Sequence, residues 1–312
     1  MPALSFPANP SVGQQSTQNG RTYSWTGYAW ELVAASGSGS GLTWSGVPES
    51  ATATGTAGQI AYDSSYLYVA VGTNQWERAA LSSWVPFTPT SIEGLQAWYD
   101  ASDASTLFDA TSGGSLVAAD GAVARWQDKS SNAIHATQST SGSRPVRKAN
   151  AQNGLGVIRL DGSDDYLEIA PTNLATNFTM FWAFKPNTAS YTLLATTTGG
   201  GARFMVIGTS LYNDYYGSGA VTINTTATTG TGILRTYRRS SGTLQSWLNG
   251  VSQGTVGFGS TLSGHTQIGR IHDQSTYNLS GDMYEVLIYN AALTDADKAA
   301  VESYLQTKWG IS

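Results

Sequence analysis

The sequence predicts an all-β chain closed by one C-terminal helix, with small tandem β-meander repeats placed ahead of a larger β-sandwich. Three observations carry this. Charged residues make up only 12% of the 312 residues, against about 25% in ordinary globular domains. Gly, Ser, Thr, Asn, Tyr and Trp take their place, which suits strands better than helices. Short apolar or alternating runs, bounded by Gly, Asn, Asp and Ser, recur from residue 156 to residue 289, and only after Thr294 does the pattern switch to a helical period.

The first 85 residues hold an internal repeat. Gly13-Gln14 is followed by Tyr23, Trp30 and Glu31, and Gly58-Gln59 by Tyr68, Trp76 and Glu77, at offsets of 45 or 46 residues. In each copy a turn signal (Asn19-Gly20, then Asp63-Ser64-Ser65) precedes an alternating run. Each copy reads as a meander of about three short strands closed by one Trp. Such a unit buries too little to stand alone, so assembly contacts are expected of it. The resulting plan is a first repeat over 1–35, a Gly/Ser/Thr-rich linker over 36–56, a second repeat over 57–84, a Pro-bounded junction over 85–91 and the sandwich over 92–312.

Within the last segment, Val157–Leu160 and Tyr166–Ile169 flank a turn rich in Asp, Gly and Ser. Phe178, Met180, Trp182 and Phe184 alternate on one face of the next strand. Further strands are expected over 191–195, 203–207, 220–224, 233–239 and 244–248, and Asn249-Gly250 predicts a type I′ hairpin into 251–256. Strands over 266–271 and 282–289 complete the set. In the helix, Thr294 serves as N-cap, Asp295 and Asp297 suit the positive end, and Val301, Tyr304, Leu305 and Trp309 form the apolar face, with Gly310 as the stop.

Two resemblances attach to these motifs. Phe6-Pro-x-Asn-Pro-x-Val-Gly-Gln, Asn19-Gly-x-Thr-Tyr-x-Trp and Gly58-Gln-Ile-Ala-Tyr-Asp-Ser-x-Tyr-Leu-Tyr-Val resemble short modules of tail-fibre and other structural proteins of bacteriophages, cyanophages especially. Trp98-Tyr-Asp-Ala-Ser-Asp, Trp126-Gln-Asp-Lys-Ser, Leu160-Asp-Gly-Ser-Asp-Asp-Tyr-Leu, Trp247-Leu-Asn-Gly and Tyr304-Leu-x-x-Lys-Trp-Gly-Ile311, taken in order, resemble the laminin-G-like branch of the concanavalin A-like jelly rolls. The second resemblance implies two antiparallel sheets of Greek-key topology, with ligands met at rim loops or on the concave face. That sandwich hosts lectins, hydrolases and adhesion modules, so it does not by itself fix an activity.

Composition narrows the function. A net charge of −5 offers no basic footprint for nucleic acid. The absence of cysteine removes disulfides and thiolate zinc sites. No run approaches the roughly 18 apolar residues of a membrane span, so no membrane insertion is expected. The start has neither a basic nor an apolar signal region. A protein made in a host cytoplasm and used outside the cell, in a virion, reconciles these features.

Glycoside hydrolysis needs two carboxylates about 5–9 Å apart. No Glu-x-Asp-x-Glu pattern supplies them, and Glu168 and Glu285 are lone acids on separate strands. His135, His265 and His272 show no ligand spacing. Asp161, Asp164 and Asp165 have the hard oxygens calcium takes, and the laminin-G-like resemblance implies calcium at a sandwich rim. The alternative is that these acids cap their own turn. Asp100 and Asp103 form a lesser pair of the same kind. Tyr212, Asn213, Asp214, Tyr215 and Tyr216 are the glycan-contact candidates, since sugar rings stack on aromatic faces and amides or carboxylates hold hydroxyls. The competing reading packs these tyrosines into the sandwich or a subunit interface. Trp98, Trp126, Trp182 and Trp247 are expected in the core.

The function expected is that of a non-enzymatic phage virion protein, a tail or head fibre whose jelly roll binds host surface polysaccharide. Its N-terminal repeats would meet other virion proteins, and fibre analogy implies a homotrimer. No cofactor is required, and calcium is the metal its acids suit. A capsid decoration protein, or a bacterial lectin or glycoside-active enzyme on the same fold, is the alternative.

Overall fold

The computed structural model describes residues 6–18, 21–33, 43–81, 87–170, 174, 177–196, 202–207, 210–215, 220–224, 228–259, 264–271 and 276–312, with the backbone alone for 32, 44, 202, 210–215 and 220–224. The chain divides into two compact units, Met1–Val85 and Pro86–Ser312. That border falls at the Pro-bounded junction.

In the first unit, the first repeat is a three-stranded antiparallel sheet of Gln15–Gln18, Arg21–Trp25 and Trp30–Leu32. Phe6 stacks on Trp30 at 5.0 Å and meets Tyr23 edge-on at 5.1 Å. The second repeat pairs Gln59–Tyr62, Tyr66–Gly72 and Gln75–Ala80 antiparallel. Its small core is Ala61, Tyr68, Ala70 and Trp76. The linker expected over 36–56 is shorter than that. Thr43–Trp44 adds a parallel strand to Gln59–Tyr62, and Ala53 packs on the Trp76 core, so the chain from Thr43 onward belongs to the second repeat.

The second unit is a sandwich of two antiparallel sheets. One runs in the order Val146–Gln152, Leu155–Asp161, Ser280–Tyr289, Phe178–Pro186, Ile233–Ser240, Thr243–Leu248, Val251–Gly257. Leu95–Asp100 completes it, pairing with the second half of Ser280–Tyr289 while Leu155–Asp161 takes the first half. The other sheet runs Ala220–Asn224, Ser210–Tyr215, Ala202–Ile207, Tyr191–Thr196, Thr266–Ile268, Leu167–Ile169, Ala136–Thr137, Arg125–Trp126, Leu107–Phe108. Asn249 and Gly250 both take positive φ, 49° and 81°, as a type I′ turn demands.

Phe178, Met180, Trp182 and Phe184 point between the sheets, toward Trp126, Phe204 and Ile268. Alternation suggested one buried face for this strand, but both are buried. Phe181 and Ala183 pack beneath Val301, Leu305 and Trp309 of the helix Asp295–Trp309, which covers the outer side of the sheet. Thr294 accepts a hydrogen bond from the Asp297 amide, and Gly310 closes the helix in the left-handed region. Trp126, Trp182 and Trp247 are buried, whereas Trp98 is only half-buried because it lies at the helix side of the sheet.

Candidate functional site

The acidic turn is the corner at which the chain leaves one sheet for the other. Leu155–Asp161 belongs to the first sheet and Leu167–Ile169 to the second, so Gly162–Tyr166 lies on the sandwich rim. Gly162 holds φ at +82°, and a Cβ there would come within 2.7 Å of Ser280 Cβ. Only glycine fits this corner.

Asp161 Oδ1 accepts the backbone N–H of Ser163 at 2.7 Å, of Asp164 at 3.3 Å and of Asp165 at 3.4 Å. Asp165 Oδ2 accepts from the Asp161 amide at 3.0 Å, and Ser143 Oγ donates to Asp164 Oδ2 at 2.7 Å. The turn-capping reading of these acids is therefore realised. They are nonetheless close, with one carboxylate oxygen of each within 4.8 Å of the others. Asp161 and Asp164 are exposed and Asp165 is buried. Burial and then the Asp161 charge push the Asp165 carboxyl up to about 6. Among the described residues no Lys or Arg forms a salt bridge with any of the three.

Two residues from the far side of the chain complete the rim. Asn278 is 5% exposed, and its Nδ2 donates to the Ser163 carbonyl at 2.5 Å. Its Oδ1 is buried and accepts no hydrogen bond from any described residue. Tyr277, directly before it, is 40% exposed with φ at +63°, a conformation that costs a bulky L-residue about 1 kcal/mol or more. Below the turn, Arg270 lies over the Tyr166 ring at 5.0 Å. The sequence reading missed Tyr277, Asn278 and Ser143, because they reach the turn only through the fold.

The three carboxylates, the Ser163 carbonyl and the orphan Asn278 Oδ1 are all hard oxygens of the kind calcium binds. Asp161, Asp164 and Asp165 are the residues that would hold such an ion, and it would supply the positive charge that the turn lacks.

Asp100, Asp103 and Glu285 have the opposite environment. Glu285, fully buried, accepts from Trp98 Nε1 at 2.7 Å, Tyr304 OH at 2.9 Å, Lys308 Nζ at 2.7 Å and Trp309 Nε1 at 2.8 Å. Lys308 also bridges to Asp100 at 2.8 Å, and Lys129 to Asp100 and Asp103 at 3.1 and 2.8 Å. Asp100 and Asp103 thus hold lysines and are not a metal pair. Burial and then Asp100 raise the Glu285 carboxyl; burial also pushes Asp100 up, but Lys308, Ser102 and Lys129 outweigh it and hold Asp100 low. Glu168 lies on the other sheet, paired with His265 at 3.0 Å.

Among the glycan-contact candidates, Tyr212, Asn213, Asp214 and Tyr215 lie on the strand Ser210–Tyr215, between Ala202–Ile207 and Ala220–Asn224. The register sets Tyr212 opposite Met205 and Asn213 opposite Phe204. Tyr216 falls outside the described residues. The backbone thus makes this stretch an integral strand of the nine-stranded sheet, some strands removed from the Asp turn.

No protein-family model matches the chain, and no curated protein matches it. Solved structures do. Domain 4 of AbnA, an extracellular GH43 arabinanase from Geobacillus stearothermophilus solved with arabinotriose, is 15% identical, with 68% of this chain and 97% of that one covered and a TM-score of 0.47. A Trypanosoma rangeli sialidase is 13% identical over 80% of this chain and 44% of its own, at a TM-score of 0.47. The botulinum neurotoxin serotype D binding domain, solved with N-acetylneuraminic acid, is 13% identical over 59% and 50%, at 0.42. The chain spans about half the length of the toxin binding domains that it matches.

Proposed function

We propose that this chain is a non-enzymatic virion protein of a bacteriophage, a tail or head fibre whose sandwich binds host surface glycan. The observation that carries the binding role is the rim. An exposed tyrosine is held in a strained backbone conformation directly before Asn278, whose side chain bonds the turn that carries three clustered carboxylates and whose own oxygen is buried and unpaired among the described residues. Strain of this kind concentrates at ligand sites. An exposed aromatic ring beside oxygen acceptors suits a hydroxylated ring, which stacks one face and donates its hydroxyls. Calcium at the turn would fix the acceptors.

The absence of enzyme chemistry in this reading rests on the acids themselves. Glu285 is enclosed by four donors, Glu168 pairs with His265 on the other sheet, and the Asp165 carboxylate is turned into its own corner. The virion setting rests on the N-terminal motifs and the exposed apolar side chains of that unit, Val12, Tyr28, Tyr62 and Val71 among them.

The test is a glycan array probed with the full chain, in calcium and in EDTA. Binding in calcium that falls about tenfold in Tyr277→Ala, with the thermal midpoint kept, is the expected result. Binding that Tyr277→Ala leaves unchanged, or no binding to any glycan, overturns the rim assignment. Release of reducing sugar from a bound glycan overturns the non-enzymatic reading. A mass measurement in solution that returns a monomer counts against the fibre.

A further inference from the structure

The two N-terminal repeats open on the same hydrogen-bonded turn. The Gly13 amide donates to the Trp25 carbonyl at 2.8 Å, and 45 positions later the Gly58 amide donates to the Ala70 carbonyl at 2.9 Å. The Ser11 amide donates to Gln14 Oε1 at 3.0 Å, and the Thr56 amide to Gln59 Oε1 at 2.8 Å. Gly13 and Gly58 have φ of 86° and 89°. The same offset carries Tyr23 to Tyr68, and one extra residue carries Trp30 to Trp76.

The equivalence exposes a difference. In the first repeat the central indole, Trp30, is covered by Phe6, stacked at 5.0 Å with 12° between the planes, and Trp25 lies against it at 5.8 Å. The counterparts 45 residues on are Ala51 for Phe6 and Ala70 for Trp25. Two aromatic rings beside the shared indole have become methyl groups. The Ala51 carbonyl accepts the Trp76 amide at 2.8 Å, so this segment still lies against the Trp strand. A cavity of about 360 Å³ opens there, lined by Ala51, Tyr68 and Trp76, with Glu49, Ser50 and Arg78 at its polar side.

The indole is fixed without the missing rings. Its Nε1–H donates to the Ala53 carbonyl at 3.1 Å, and Gly55 lies so close over it that a Cβ would meet three ring atoms at 2.7 to 2.8 Å. The cavity thus opens at the position that carries a ring in the first repeat, beside a Trp locked in place, and at about 360 Å³ it falls in the size range of small-ligand sites. A phenyl ring would leave its charged wall unused. A hydroxylated ring uses both parts, laying its C–H face on the aromatic side and its hydroxyls against Glu49, Ser50 and Arg78.

We infer that the second repeat carries a saccharide site in this cavity, on residues other than those of the sandwich rim. In the first repeat Phe6 covers the indole instead, and Leu4 and Leu32 stand in the sequence where the second repeat has Glu49 and Arg78. The chain thus pairs a filled socket that stabilises one repeat with an open one that binds.

The experiment uses the full chain labelled with ¹⁵N-tryptophan, the Trp76 indole signal being identified by its loss in Trp76→Phe. Pyranose monosaccharides titrated into the millimolar range are expected to shift that signal saturably. Ala51→Phe restores the ring found in the first repeat; it is expected to raise the thermal midpoint and to abolish the shift. Tyr277→Ala, which removes the rim ring, is expected to leave this shift unchanged, so failure here and failure of the rim site are separate results. An unmoved Trp76 signal, or a shift of equal size in Ala51→Phe, overturns the inference. A shift produced by benzene and by no pyranose overturns the saccharide assignment and makes the cavity a socket for an aromatic side chain.

Discussion

Asp100 and Glu285 lie opposite each other on paired strands, and Asp161, Asp164 and Asp165 share one turn, yet the fold treats the two groups in contrary ways. Around Glu285 every oxygen is claimed: two indoles, a phenol and a lysine donate to it, and Lys308 and Lys129 face Asp100, Asp103 and Glu285. At the turn the carboxylates are capped by backbone amides and by Ser143, with no salt bridge to them from any described Lys or Arg and a buried Asn278 oxygen left over. The first cluster closes its valence inside the protein and acts as a rivet between helix and sheet. The second leaves valence open at the surface, where a ligand can close it.

Breaking the rivet should have the largest effect. Lys308→Met leaves Asp100 and Glu285 facing each other in a buried site without their shared cation. Removing one partner of a buried ion pair costs about 3–5 kcal/mol. We expect the sandwich transition to fall by about ten degrees in calorimetry, and Glu285→Gln, which keeps one oxygen to accept from two of the four donors and leaves Lys308 paired with Asp100, to fall by less. Equal losses in the two variants would mean that hydrogen bonding, and not charge closure, holds the cluster.

The open cluster predicts a response that the rivet lacks. Calcium at a hundred times its dissociation constant should add about 2.7 kcal/mol to the sandwich. Asp164→Asn should erase that gain with little change in the metal-free protein, because Asp164 is exposed and holds only the Ser143 hydroxyl. A calcium-induced rise in the thermal midpoint that survives Asp164→Asn would move the ion elsewhere.

The two clusters were unequally legible in the sequence. Asp161, Asp164 and Asp165 announce themselves because a turn gathers its ligands within five residues. Glu285 reads as a lone acid in an apolar strand, since its partners come from Trp98 on the opposite edge and from Tyr304, Lys308 and Trp309 on the helix. Their one local trace is a lysine at i+4 from a tyrosine on the helix's apolar face. The alternating strand Phe178–Pro186 and the helix caps were readable from period and capping chemistry, but burial of the strand's second face was not, because it depends on a helix more than a hundred residues away. Asn278 reaches the Asp turn across 115 residues, and nothing near it in the chain marks it.

Proton binding sharpens the same contrast. Asp165 is raised to about 6 by burial and by the Asp161 charge, above its unfolded value of about 4. A raised carboxyl binds its proton more tightly in the folded state, so the stability it contributes is full below about pH 4 and is lost as pH climbs through about 6. Asp165→Asn can still accept the Asp161 amide and carries no charge, so it should flatten stability across that window and make the metal-free protein more stable at pH 7. Urea unfolding at pH 4 and pH 7 measures the difference. Identical pH dependence in the variant would show that neither burial nor the Asp161 charge raises the Asp165 carboxyl in the folded protein.

The smallest effect falls on Tyr277, and it separates structure from function most cleanly. At φ +63° this side chain is strained by about 1 kcal/mol, a cost that glycine does not bear. Tyr277→Gly removes the strain but also adds freedom to the unfolded chain, which gives back a few tenths of a kcal/mol. The net expectation is a rise of about 0.5 kcal/mol in stability, seen as one to two degrees in the sandwich transition. Tyr277→Ala removes the same ring and keeps the strain, so it should show no such rise. Both variants should lose glycan binding alike if the ring is the stacking surface. If glycine stabilises while binding persists, the strain at Tyr277 serves the packing of Asn278 against the turn and not the ligand.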